Sequence, residues 1–72
     1  MILLINGEER RLDAEPLTLA ALIEQLELKP DRIAVELNRR IVRRSDWATT
    51  SLSEGDRLEI VHFVGGGSSA SS

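Results

Sequence analysis

The residues with the clearest chemical potential in this 72-residue chain are Val64-Gly65-Gly66-Gly67, followed by Ser68-Ser69-Ala70-Ser71-Ser72. Glycine has no Cβ, so residues 65–67 can thread a narrow channel in extended form and leave the carbonyl carbon of Gly67 open on every side. Those properties suit a carboxyl group that other enzymes activate, held at the end of a small domain. The same string also reads as a flexible Gly/Ser linker or a cloning scar. The tripeptide does not choose between these readings, so the rest of the chain must.

Composition removes most competing chemistries. The chain contains no cysteine, which excludes disulfides, thiol nucleophiles and thiolate metal sites together. Any sulfur it handles must sit on another group. Its one histidine, His62, cannot assemble a His-based triad or a multi-His metal site, and a lone imidazole on a strand reads as a surface or rim residue. Asp56 and Glu59 are too few for a metal site. The glycine run follows a strand and opens no helix, so it is not a phosphate-binding loop. With 12 acidic and 9 basic residues and a net charge of −3, nucleic acid is a poor partner. The apolar start, Met1-Ile2-Leu3-Leu4-Ile5, has no basic leader and gives way to Asn6-Gly7. A cytoplasmic protein with no membrane span is therefore expected.

The arm needs a scaffold, and the pattern supplies one. Asn6-Gly7 is a type I′ hairpin signal between strands over residues 1–5 and 8–13, the second an edge strand guarded by Glu8, Glu9, Arg10 and Arg11. Thr18 can cap a helix over residues 19–27, where Leu19, Leu22, Ile23 and Leu26 recur at helical spacing. Period-two alternation marks a strand over residues 32–38. A turn at Asn38-Arg39-Arg40 leads to a short strand at Ile41-Val42, and Glu54-Gly55-Asp56 makes a tight turn before a last strand over residues 57–64. In so small a chain the helix must cover one face of a mixed sheet.

Alternation also assigns faces. Leu3, Ile5, Ile33, Val35, Leu37, Leu58 and Ile60 point toward the helix; Ile2, Leu4, Glu59, Val61 and Phe63 point away. If the first and last strands are neighbours, Ile2, Leu4, Val61 and Phe63 form an exposed apolar patch leading to the arm, the kind of surface that marks a partner interface. Trp47 reads either as an interface anchor or as a plug for a core poor in aromatics. Arg39, Arg40, Arg43 and Arg44 form a local basic cluster, read as solvated turn residues or as a surface for an acidic partner.

Read together, these pieces resemble the ubiquitin-like β-grasp sulfur carriers of the ThiS/MoaD superfamily, and most closely its ThiS family. The resemblance rests on Leu3-Leu4-Ile5-Asn6-Gly7, Thr18-Leu19-Ala20-Ala21-Leu22-Ile23, Ile33-Ala34-Val35-Glu36-Leu37-Asn38 and Trp47. Its most specific piece is the run from Gly55-Asp56-Arg57 through Glu59-Ile60-Val61-His62-Phe63 to Val64-Gly65-Gly66-Gly67.

The resemblance implies an α+β fold of the ubiquitin-like β-grasp type: a mixed four- to five-stranded sheet with one main helix across one face. It divides the chain into a domain over residues 1–64, a flexible glycine arm over 65–67 and a disordered Ser-rich extension over 68–72. It also implies a carrier with no catalysis of its own. A ThiF-like, E1-like adenylyltransferase would use ATP and magnesium to adenylate the carboxylate of Gly67. A sulfur donor system with a cysteine desulfurase would convert the adenylate to a thiocarboxylate, and a ThiG-like thiazole synthase would receive the sulfur.

On this reading Ile2, Leu4, Val61, Phe63, Val64, Gly65 and Gly66 contact partners, the carrier binds no cofactor itself, and it is a monomer in isolation. Because Gly67 is followed by Ser68, activation is expected to require removal of residues 68–72. The alternatives are a MoaD-like small subunit of molybdopterin synthase, a ubiquitin-like modifier, and a β-grasp binding module that never uses its terminus.

Overall fold

In the computed structural model, which describes residues 1–13 and 16–63, Asn6 and Gly7 adopt φ of 51° and 82°. This is the left-handed pair a type I′ turn requires, and it reverses the chain between β1 (Ile2–Ile5) and β2 (Glu8–Arg11). The strands pair antiparallel from Ile5 opposite Glu8 to Ile2 opposite Arg11. β2 is exposed along its length and forms one edge of the sheet, where charged side chains discourage pairing with another chain.

β3 (Leu17–Thr18) leads directly into α1 (Leu19–Gln25). The Thr18 hydroxyl accepts the Ala21 amide at 3.2 Å, satisfying a free donor of the first helical turn. Leu19, Leu22 and Ile23 are buried, while Glu24, Gln25 and Glu27 face solvent. The helix stops two residues before the expected Glu27. There the backbone turns left-handed, with φ of 57° at Glu27, and the amides of Glu27 and Leu28 donate back to the carbonyls of Glu24 and Ile23. This Schellman closure commonly uses glycine at the position glutamate occupies here. A 3₁₀ turn (Pro30–Arg32) follows.

β4 (Ile33–Leu37) and β5 (Arg40–Val42) make a second hairpin. Its two-residue loop is Asn38-Arg39, again with both φ positive, at 51° and 73°. Arg40 therefore belongs to the strand, opposite Leu37, rather than to the turn. A 3₁₀ segment (Arg44–Thr49) then inserts Trp47, which is 4% exposed and donates its indole N–H to the Val42 carbonyl at 2.9 Å. β6 (Ser51–Leu52) pairs with β3 as a separate two-stranded ribbon. Two-residue strands carry no periodicity, so the sequence gives no sign of them.

β7 (Arg57–His62) closes the fold. The main sheet has the order β2-β1-β7-β4-β5, with β1 and β7 parallel and the other pairs antiparallel. The expected α+β architecture is thus present as a five-stranded mixed sheet with one α-helix across it, plus the small β3/β6 ribbon. The last strand ends at His62 rather than Val64; Phe63 still donates its amide to the Arg32 carbonyl at 2.8 Å, and Val64 lies outside the described residues.

Leu3, Ile5, Ile33, Val35, Leu58 and Ile60 form the buried face of the sheet, as alternation predicts. Leu17, Leu19, Leu22, Ile23, Trp47 and Leu52 complete one continuous core, and Leu37 is half-buried at its margin.

Two substitutions test this account by chemical denaturation. Leu22→Ala, at a fully buried position, should lower the unfolding free energy by about 2–5 kcal/mol. Glu27→Gly should raise it by about 1 kcal/mol, by relieving the left-handed backbone of its Cβ.

Candidate functional site

β7 carries the chain toward the glycine arm, so the groups that fix its far end define the site. β1 pairs with β7 only as far as Ile5 opposite Leu58, after which β1 turns away at Asn6. The Asn6 amide continues the ladder by donating to the Leu58 carbonyl at 2.9 Å. The Asn6 side chain then serves the next rung: its Oδ1 accepts the Ile60 amide at 2.7 Å and its Nδ2 donates to the Ile60 carbonyl at 3.2 Å. A carboxamide has the donor and acceptor of a peptide unit, so Asn6 replaces a missing strand residue. The sequence marks Asn6 as a turn residue only, because a contact across 54 positions leaves no local signal.

The near end of β7 is locked by a related device. Asn38 donates its backbone amide to the Arg57 carbonyl at 2.7 Å and accepts the Arg57 amide on Oδ1 at 3.0 Å. Its Nδ2 donates to Asp56 Oδ1 at 3.1 Å, and Asp56 Oδ2 accepts the Ser53 amide at 2.7 Å. Gly55, with φ of 84°, sits third in that Ser53-to-Asp56 turn, the position where a type II turn needs glycine. Its amide donates to the Ile2 carbonyl, while Glu54 Oε1 accepts the Ile2 amide. Both hairpin loops thus hold the final strand in place.

The outer face of the sheet carries Val61 and Phe63, 55% and 57% exposed. Ala34 lies opposite Val61. The expected patch needs correction at its other half. Ile2 and Leu4 share the outer face but are only half-buried, and the parallel register sets Leu4 beside Arg57. Val61 is four residues farther along, about 13 Å at the rise of an extended strand. Ile2 and Leu4 therefore lie at the opposite end of β7 and do not join Val61 and Phe63. Parallel pairing separates them, and the sequence pattern assigned the faces without assigning the direction. The expected contacts at Val64, Gly65, Gly66 and Gly67 lie outside the described residues.

Trp47 belongs to the core, with its indole N–H held by the Val42 carbonyl. His62 is exposed and lies opposite Ile33, on the helix side of the sheet. Together with Ile5, Asn6, Arg10, Leu26, Leu28 and Ile60 it lines a shallow cavity of about 180 Å³. Among the described residues no group of three or more histidine, aspartate or glutamate side chains converges to hold a metal ion, and no helix is long and apolar enough to cross a membrane.

A mixed five-stranded sheet grasping one helix, with the last described strand at its centre, defines a ubiquitin-like β-grasp domain. A crystal structure of the thiamine biosynthesis protein ThiS from Geobacter metallireducens superposes with a TM-score of 0.81 at 31% identity, covering 90% of this chain and 97% of that one. The ThiS family model matches residues 3–67, and the chain belongs to the ThiS family.

Among related sequences, the sulfur carrier protein ThiS of Bacillus subtilis is 32% identical over 66 residues, covering 92% of this chain and 100% of that protein. Proteins called thiazole synthase are 47% identical over 68 residues in Paramagnetospirillum magneticum and 40% over 63 residues in Magnetococcus marinus. The chain spans 21% and 19% of the length of those two.

The Asn6 bridge is directly testable. Asn6→Ala removes both side-chain bonds to Ile60 and a residue that tolerates positive φ, and should cost about 2 kcal/mol of stability. Amide exchange should quicken at Ile60 more than at Val35, which pairs through the β4 and β5 backbones.

Proposed function

We propose that this chain is a sulfur carrier for thiazole formation in thiamine biosynthesis, with the Gly67 carboxyl as the group that carries sulfur. The single observation behind this reading is the family match extending through residue 67. It includes the glycine run as well as the domain.

Chemistry gives the sequence of events. A carboxylate resists nucleophiles until it has a leaving group. An E1-like adenylyltransferase of the ThiF type joins a carboxylate oxygen to the α-phosphorus of ATP, with magnesium, and pyrophosphate departs. A persulfide from a cysteine desulfurase system attacks the acyl carbon and AMP departs; a partner's thiol then cleaves the acyl disulfide, releasing the thiocarboxylate and taking the other sulfur into a disulfide. The resulting thiocarboxylate is the sulfur donor for a ThiG-like thiazole synthase. The similarity to a segment of two proteins called thiazole synthase supports that acceptor.

The carrier contributes no acid, base or cofactor site to these steps. ATP and magnesium belong to the activating enzyme, and the carrier's part is recognition and delivery. Val61 and Phe63 present an apolar surface at the end of β7 that leads to Val64, Gly65 and Gly66. Partners that close on this end of the sheet exclude water from the acyl group. The half-buried Ile2 and Leu4 sit too far along the strand to share that contact. Because Ser68 follows Gly67, the cycle begins with hydrolysis of the 67–68 peptide bond. The carrier acts in the cytoplasm and is a monomer between encounters.

Intact-protein mass spectrometry of the chain from its native host, with its activating enzyme, ATP and a sulfur source, tests this. A species ending at Gly67 should gain about 16 Da as one oxygen is replaced by sulfur. Gly67→Val should fold normally and fail to be adenylated. A chain that keeps residues 68–72 and gains no sulfur beside active partners overturns the proposal.

A further inference from the structure

The two edges of the sheet are defended differently. β2 presents Glu8, Glu9, Arg10 and Arg11, two charges of each sign, a mixed fringe that suits no partner. β5 is the opposite edge, and arginines 39, 40, 43 and 44 surround it with no acidic residue between positions 39 and 44. Four of the nine basic residues thus fall within six positions, leaving five against all twelve acidic residues elsewhere. In the middle of this basic strip stands Ile41, 75% exposed and the most exposed large apolar side chain among the described residues.

The backbone at Ile41 is also open. The hairpin loop is two residues long, so Leu37 and Arg40 close it as a hydrogen-bonded pair and Val35 pairs with Val42 in the same way. Glu36 and Ile41 are the non-bonded pair between them, which turns the N–H and C=O of Ile41 outward, off the edge. A strand arriving there finds one donor and one acceptor at strand spacing. Beside them lie an apolar side chain and, two positions to either side of it, Arg39 and Arg43.

We propose that the free edge of β5 docks an extended acidic segment of a partner protein, which adds to the sheet as a further strand. Strand addition takes affinity from main-chain bonds and selectivity from alternate side chains. Here the selective pattern is an apolar residue opposite Ile41 with carboxylates two positions before and after it. The arginines attract such a strand and repel basic edges, so the strip selects a partner by charge. A long polyanion fits less well, because the rest of the chain is strongly acidic and Glu36 and Glu59 flank the strip on the outer face. The edge lies two strands from β7. A partner held there leaves Val61, Phe63 and the glycine arm free for an enzyme, and the proposal stands apart from the sulfur chemistry.

The test is an NMR titration of the ¹⁵N-labelled chain with the capped peptide Thr-Glu-Thr-Val-Thr-Glu-Thr and with a control in which lysine replaces each glutamate. The acidic peptide should bind saturably with Kd below about 1 mM at low salt and about tenfold or more tighter than the control. It should also slow amide exchange at Ile41 about tenfold, as a new main-chain bond does. The double variant Arg39→Glu, Arg43→Glu should reverse the preference between the peptides. Ile41→Pro, which removes the outward N–H while sparing the ladder to β4, should weaken binding of the acidic peptide about tenfold; it serves as the second probe if the double variant loses its fold.

Binding that survives both changes, or shifts spread over the arginines with no protection at Ile41, would overturn the proposal. So would tighter binding of a single-stranded RNA octamer, or no saturable binding at all.

Discussion

The last strand of this chain lies in the middle of its sheet. β7 is hydrogen-bonded on one side to β1, its only parallel neighbour, and on the other to β4. Its inner face contributes Leu58 and Ile60 to the core. A terminal strand at an edge can peel away by losing one ladder; a central one must break two ladders and expose the core at once. Whatever pulls on the residues after His62 therefore pulls against the best-secured element of the molecule. For a protein proposed to present the residues after β7 to a series of enzymes, this anchorage secures the domain against such a pull.

Central placement creates a problem that two asparagines solve. β1 is four residues long and β7 six, so the parallel ladder runs out at Ile5 while β7 continues. Asn6 leaves the strand to form a left-handed turn, yet its side chain still bonds both backbone groups of Ile60. Asn38 does the corresponding task at Arg57. In both places a residue that tolerates positive φ also has a carboxamide able to imitate a peptide group. One substitution at either site would lose turn geometry and strand anchorage together. A core of a dozen buried apolar residues gains from such polar locks, since a domain this small buries a limited fraction of its surface.

The surface divides along the same lines. The helix side is closed by Trp47 and the β3/β6 ribbon, while the other face is left open with Val61 and Phe63 at the end of β7. Ile41 is exposed on that open face too, but at the rim, where edge backbone and positive charge are its neighbours. Contacts that depend on the arm and contacts made at the β5 edge can therefore be occupied together. The strongly uneven charge along the chain makes partner choice at the edge a matter of sign as much as shape.

Much of this was legible in the sequence because it rests on short-range rules. Asn6-Gly7 gave its hairpin, Thr18 its cap, and alternation gave the inward face of every long strand, since side-chain direction has a period of two wherever a strand forms. The glycine run and the strand before it pointed to the carrier family. Other features were decided only by tertiary structure, because they depend on residues far apart in the chain. The parallel register of β1 and β7 parted Ile2 and Leu4 from Val61 and Phe63; alternation fixes a face but carries no information on direction or offset. The reach of Asn6 to Ile60, the pairing of β3 with β6, and the burial of Trp47 against Val42 follow from how the elements dock. The sequence by itself determined which residues turn, which face inward and what chemistry the glycine-bearing end can support. Only the packed sheet decided which apolar side chains share one surface, because neighbours in a sheet are set by hydrogen bonds between strands rather than by distance along the chain.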